Sequence, residues 1–141
     1  MKWERLAQII KLYPKVQLFL LLVDRDGKEG RRSGLDTLEQ KATDLLARGR
    51  YFLAENAWQE IEVWVLAGHD LPKEWKWKEI RAEIDPKEHY FEPLAEKRGL
   101  LSQLGEGRKT LGQEAAKRYK RIRQLCHEIV ELEDNIRRCI S

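Results

Sequence analysis

Apolar positions recur with two periods along the first half of the chain, and each change of period marks an element. Trp3, Leu6, Ala7, Ile10 and Tyr13 follow the three- and four-residue steps of a helix with one buried face, and Pro14 ends it. Val16 to Val23 is almost continuously apolar, too short for a buried helix, and bounded by Pro14 and by Asp24-Arg25-Asp26-Gly27. That pattern predicts a strand buried on both faces, as parallel sheets require. A loop with three Gly and three Arg covers residues 24–34. Ser33 or Asp36 can then cap a helix whose stripe is Leu35, Leu38, Ala42 and Leu45, with Gly49 at its left-handed C-terminal cap. A second short strand is expected at Tyr51–Ala54.

Both periods fit the stretch from Ala57 to Ala67. Ile61, Val63 and Val65 alternate like a strand, whereas Trp58, Ile61, Val65 and Gly68 share a helical face. Glu55 and Asn56 as a start signal and Gly68 as a stop favour the helix. Past Pro72 the chain becomes charged and aromatic, with Trp75, Trp77, Tyr90 and Phe91 before Pro93. A final stripe runs through Leu111, Ala115, Tyr119, Ile122, Leu125, Ile129, Leu132, Ile136 and Ile140, and predicts one long helix or two joined near Cys126-His127.

The order helix, strand, helix, strand, helix predicts an α/β fold: a small, mainly parallel sheet with a right-handed crossover, flanked by helices. Residues 1–72 would form this core and residues 73–141 a mainly helical C-terminal region packed on it. So apolar a strand calls for neighbours on both edges, yet one other strand is evident. The missing strands would come from a second copy, from a partner chain, or from a larger sheet domain.

At 141 residues, 42% apolar and 36% charged, the chain is one domain's worth of material, too apolar for disorder and too charged for a membrane span. The start, Met1-Lys2-Trp3-Glu4-Arg5, has no apolar signal core, so a cytoplasmic protein without membrane association is expected. A net charge of +3 permits polyanion binding without demanding it. Cys126 and Cys139 lie outside metal or redox spacing and read as reduced thiols.

Asp24 and Asp26 directly follow the buried strand, at the end where open α/β sheets bind ligands. Two carboxylates one residue apart in a turn can face one cation, and Mg²⁺ uses one or two protein carboxylates while keeping water and room for phosphate. Glu62, or Glu60, can supply a third acid. The simpler use of Asp-x-Asp-Gly is a surface turn.

On these residues the chain resembles a known family. Leu20-Leu21-Leu22-Val23-Asp24-Arg25-Asp26-Gly27 is similar to the strand and Asp-x-Asp motif of Toprim domains. Glu60-Ile61-Glu62-Val63-Trp64-Val65-Leu66-Ala67 resembles the Glu-x-Trp-x-Leu-Ala segment of an uncharacterised bacterial Toprim-like family, and residues 107–112 and 121–126 also look familial. The resemblance implies Mg²⁺-dependent, nuclease-like phosphoryl transfer on nucleic acid, with Asp24, Asp26 and Glu62 as catalytic metal ligands. One part of the Toprim pattern is missing: a Glu closing an earlier strand. Glu4 lies in a predicted helix and does not supply it, which implies a site incomplete in this chain alone.

Seven basic residues, Arg108, Lys109, Lys117, Arg118, Lys120, Arg121 and Arg123, stand against Glu114 alone and form a candidate phosphate-backbone stripe; the other reading is the solvated face of an amphipathic helix. Gly105-Glu106-Gly107-Arg108-Lys109-Thr110 lacks two glycines of a P-loop and is set aside. Lys73, Trp75, Lys76, Trp77 and Lys78 can stack bases or simply pack. His69-Asp70 lacks the further His ligands of a phosphohydrolase. The remaining function class is a non-catalytic interaction or regulatory module derived from a Toprim-like domain, binding a partner through the open sheet edge.

Overall fold

The computed structural model describes residues 2–141. Its centre is a two-stranded parallel sheet of β1 (Leu18–Asp24) and β2 (Tyr51–Ala57), registered with Leu18 opposite Tyr51 and Asp24 opposite Ala57. Helices α1 (Trp3–Leu12) and α2 (Arg31–Leu45) supply Leu6, Ile10, Leu35 and Ala42 to a core with Leu21, Phe52 and Ala54. The fold is therefore α/β, with helices flanking a parallel pair and a helical C-terminal region.

β1 is buried on one face only. Leu21 is buried, while Leu20 and Leu22, pointing the other way, are 46% and 39% exposed. α8 packs against β2, where Glu55 and Ala57 on that second face are buried, but Leu20 and Leu22 of β1 stay exposed, so the two-sided burial expected of β1 is not met among the described residues. β2 runs to Ala57, three residues beyond the expected Ala54, so Glu55 and Asn56 belong to the strand rather than to a helix start. α2 begins at Arg31, which places Ser33 and Asp36 inside it rather than at its cap, and it ends at Leu45, before Gly49. Asp36 instead pairs with Arg32 at 2.7 Å.

The remaining helices are α3 (Glu62–Ala67), α4 (Trp77–Ala82), a π-helical turn (Lys87–Phe91), α5 (Glu92–Lys97), α6 (Arg108–Ala116), α7 (Tyr119–Leu125) and α8 (His127–Ile140). The stripe read as one helix or two is thus three, broken at Lys117-Arg118 and at Cys126. α3 connects two clusters: Leu66 packs with Ile80, Phe91, Leu94 and Leu111, and Val63 and Ala67 pack with Ala115, Ile122, Cys126 and Ile129. Although α3 precedes residue 72, its core partners all come from the helices after it.

Glu128 joins the two halves. Its carboxylate accepts from Arg81 at 2.6 and 3.0 Å, from the Trp64 indole at 2.9 Å and from the Trp58 N–H at 3.3 Å. No helix among the described residues is long and apolar enough to cross a membrane.

Candidate functional site

β1 delivers Asp24 to its carboxyl end, and the chain turns there in a left-handed conformation at Asp26 (φ 49°) and Gly27 (φ 65°). A matching turn after β2 is left-handed at Gln59 (φ 69°). Three hydrogen bonds join the two turns. The Asp26 N–H donates to the Gln59 carbonyl at 2.9 Å, the Gly27 N–H to Gln59 Oε1 at 2.9 Å, and the Ile61 N–H to Asp24 Oδ1 at 2.8 Å. Gln59 is buried, so both of its bonds hold the site where water does not compete.

Each acid keeps one oxygen in use. Asp26 Oδ2 pairs with Arg31 at 3.1 Å, and Glu62, 6% exposed at the start of α3, pairs with Arg108 Nε at 3.0 Å. Glu60 Oε2 accepts from the Lys87 N–H at 2.8 Å. Burial pushes the Asp24 carboxyl above its ordinary value; the Ile61 N–H pulls it back, and the charges of Glu62 and Asp26 push it up again. Glu60 is raised for the same first reason, against the Lys87 N–H, with Glu62, Glu88 and Asp24 adding to the rise. The corner is thus a place where negative charge accumulates faster than Arg31 and Arg108 neutralise it.

Among the described residues, no three His, Cys, Asp or Glu side chains stand together as a metal-holding group. The residues that would hold a cation here are Asp24 and Asp26, each with one oxygen left free by its hydrogen bond or ion pair, in an open site completed by water. The donor set does not fit a closed three-carboxylate cage, because Glu62 is turned to Arg108.

The basic stripe is divided among α6, the turn at Lys117-Arg118 and α7, and much of it is already paired. Arg118 and Arg121 both reach the exposed Asp70, at 3.0 and 2.9 Å, and together hold its carboxyl below the usual range. Arg123 pairs with Glu133 at 2.8 Å, and Arg108 is committed to Glu62 and Glu106. Lys109, Lys117 and Lys120 are exposed and make no ion pair among the described residues. Trp75 lies edge-on to Tyr90 at 5.2 Å, and both it and Trp77 pack against the buried clusters. Buried His69 bonds the Leu111 carbonyl through Nε2 at 2.9 Å, tying the end of α3 to α6.

Gln59, Arg31 and Arg108 shape this corner, and nothing in the sequence pattern singled out Gln59 or Arg31. Gln is an unusual occupant of a positive φ, so no turn signature marks it. Arg108 was visible as a basic residue, but its partner lies 46 positions away. No protein-family model, curated protein or solved structure matches the chain.

Proposed function

We propose that this chain is a Mg²⁺-binding domain of nuclease-like character, related to Toprim domains, in which Asp24 and Asp26 hold the cation and Glu62 stands behind them. The observation that carries this reading is the crowding of carboxylates at the carboxyl end of a parallel strand, where Asp24 and Asp26 are tied by hydrogen bonds to the turn that leads into Glu62. A divalent cation relieves that crowding, and it supplies Lewis-acid polarisation of a phosphodiester oxygen when bound. The chain's own contribution is to fix the two aspartates through Gln59 and Ile61 and to orient Asp26 through Arg31. Glu62, held by Arg108, adds negative potential to the corner without closing it. Lys109, Lys117 and Lys120 provide the unpaired positive charge that a nucleic-acid backbone requires.

Incubation of the purified chain with single- and double-stranded DNA and RNA, with and without Mg²⁺, tests the activity. Metal-dependent cleavage that disappears in the Asp24→Asn, Asp26→Asn double variant is the expected result. Cleavage that persists in that variant or in excess chelator contradicts the assignment.

A further inference from the structure

The two edges of the sheet are treated differently by the rest of the chain. The Tyr51 N–H donates to the Gln17 carbonyl, so the odd-numbered residues of β2 face β1 and the even-numbered ones face outward. That outer edge is blocked from its middle onward: the Ala54 N–H donates to Glu39 Oε1 at 2.7 Å, the Ala54 carbonyl accepts from Arg32 at 2.8 Å, and the Asn56 N–H donates to Glu55 Oε1 at 2.9 Å. By the same alternation Leu18, Leu20 and Leu22 turn their backbone groups away from β2, and these find no partner among the described residues. Both faces beside this open edge are apolar. Leu20 and Leu22 are exposed on one, and on the other Leu21, Val23, Leu35 and Leu38, together with Lys28 and Arg31, line a groove of about 490 Å³.

A strand completing this edge must therefore be apolar on both of its own faces, a demand that most edge strands, with one polar face, do not meet. β1 meets it. We propose that the occupant is β1 of a second copy, paired antiparallel about a two-fold axis to give a four-stranded sheet in the order β2-β1-β1-β2. With Leu20 of one copy opposite Leu22 of the other, all the outward backbone groups of the central strands are satisfied. The exposed leucines of the two copies become continuous on one face, and on the other the grooves beside the two central strands meet across the two-fold axis. Antiparallel pairing also brings Asp24 and Asp26 of one copy toward the exposed Lys15 of the other. Because Glu39 and Arg32 block the β2 edge, assembly stops at two chains, an isologous dimer rather than a growing sheet. The pairing does not depend on cation binding.

Sedimentation equilibrium of the full chain, from micromolar to several hundred micromolar, is the test. The expected result is a mass of two chains for the natural sequence and of one chain for Leu20→Lys, Leu22→Lys, with unchanged circular dichroism. A second variant, Leu20→Cys, Leu22→Cys on a Cys139→Ser background, keeps the proposal testable if the lysine variant does not fold. Opposed residues at about 5.5 Å between Cα atoms suit a disulfide, so mild oxidation should yield a covalent dimer that a Leu104→Cys control does not. A natural chain that stays monomeric, a dimer that survives the lysines, cysteines that fail to cross-link, or a mass growing beyond two chains would each overturn it.

Discussion

Asp24 carries its charge into a corner where burial and the neighbouring Glu62 and Asp26 oppose it more than the Ile61 N–H and the Arg31 charge favour it. A carboxyl whose folded pKa is raised costs stability once the solution pH exceeds that value, because the unfolded chain ionises more freely. The cost disappears as pH falls through the raised value toward the ordinary 3.8. Asn at this position still offers an oxygen to Ile61 but no charge. Asp24→Asn is therefore expected to melt higher than the natural protein at neutral pH, and the difference should vanish below the ordinary aspartate range, as thermal melts across pH would record. Saturating Mg²⁺ should narrow the neutral-pH difference by stabilising only the natural chain. Asp24 and Asp26 were legible because two acids close an apolar run. Gln59 was not, since its contribution depends on a positive φ and on contacts to residues 26 and 27 that only the fold brings near.

At the level of elements, α1 and the centre of α2 were readable from period, because each buries one stripe, and β1 from a continuous apolar run between Pro14 and Asp24, although only one of its faces is buried. Boundaries failed where tertiary contacts override local signals. Glu55 and Asn56 looked like a helix start, yet pairing with β1 extends β2 through them. The C-terminal stripe kept its helical period across Lys117-Arg118 and Cys126, so nothing in the spacing disclosed the breaks that let α6, α7 and α8 fold around α3. The tightest of these contacts is at Gly68, where a Cβ would come within 2.6 Å of the Ala115 Cα and Cβ. Backbone atoms cannot yield as a flexible side chain does, so α3 and α6 must separate. Gly68→Ala should destabilise the chain by about 1–3 kcal/mol, the usual cost of overpacking, measured by urea unfolding. An unchanged midpoint would show that the two helices are not held in this contact.

Across the whole molecule, the sequence disclosed that one strand pair is too little sheet for so apolar a β1, and the exposed Leu20 and Leu22 give that statement a location. It did not disclose how the charges balance. Seven basic residues read as a continuous stripe, but Asp70 and Glu62 from distant parts of the chain, and Glu133 and Glu106 from nearer ones, meet four of them. On the proposed reading, the stripe's contribution to polyanion binding comes from Lys109, Lys117 and Lys120. A fluorescence-anisotropy titration with duplex DNA should show log K falling against log salt with a slope no steeper than about −3, at roughly −0.9 per neutralised phosphate. A slope near that of seven contacts would mean that the arginines leave their carboxylates. Cys126 adds nothing to reactivity, because burial, with Glu128 adding to it, pushes its thiol up to about 12.

The cation seat itself is most directly tested by titrating the chain into Mn²⁺ and following the electron paramagnetic resonance signal of the free aqua ion. The account predicts that the signal falls to a stoichiometry of one Mn²⁺ per chain, that Mg²⁺ restores it by competition, and that the Asp24→Asn, Asp26→Asn variant leaves it intact. An undiminished signal with the natural chain, or an equal loss with the variant, would contradict the shared seat.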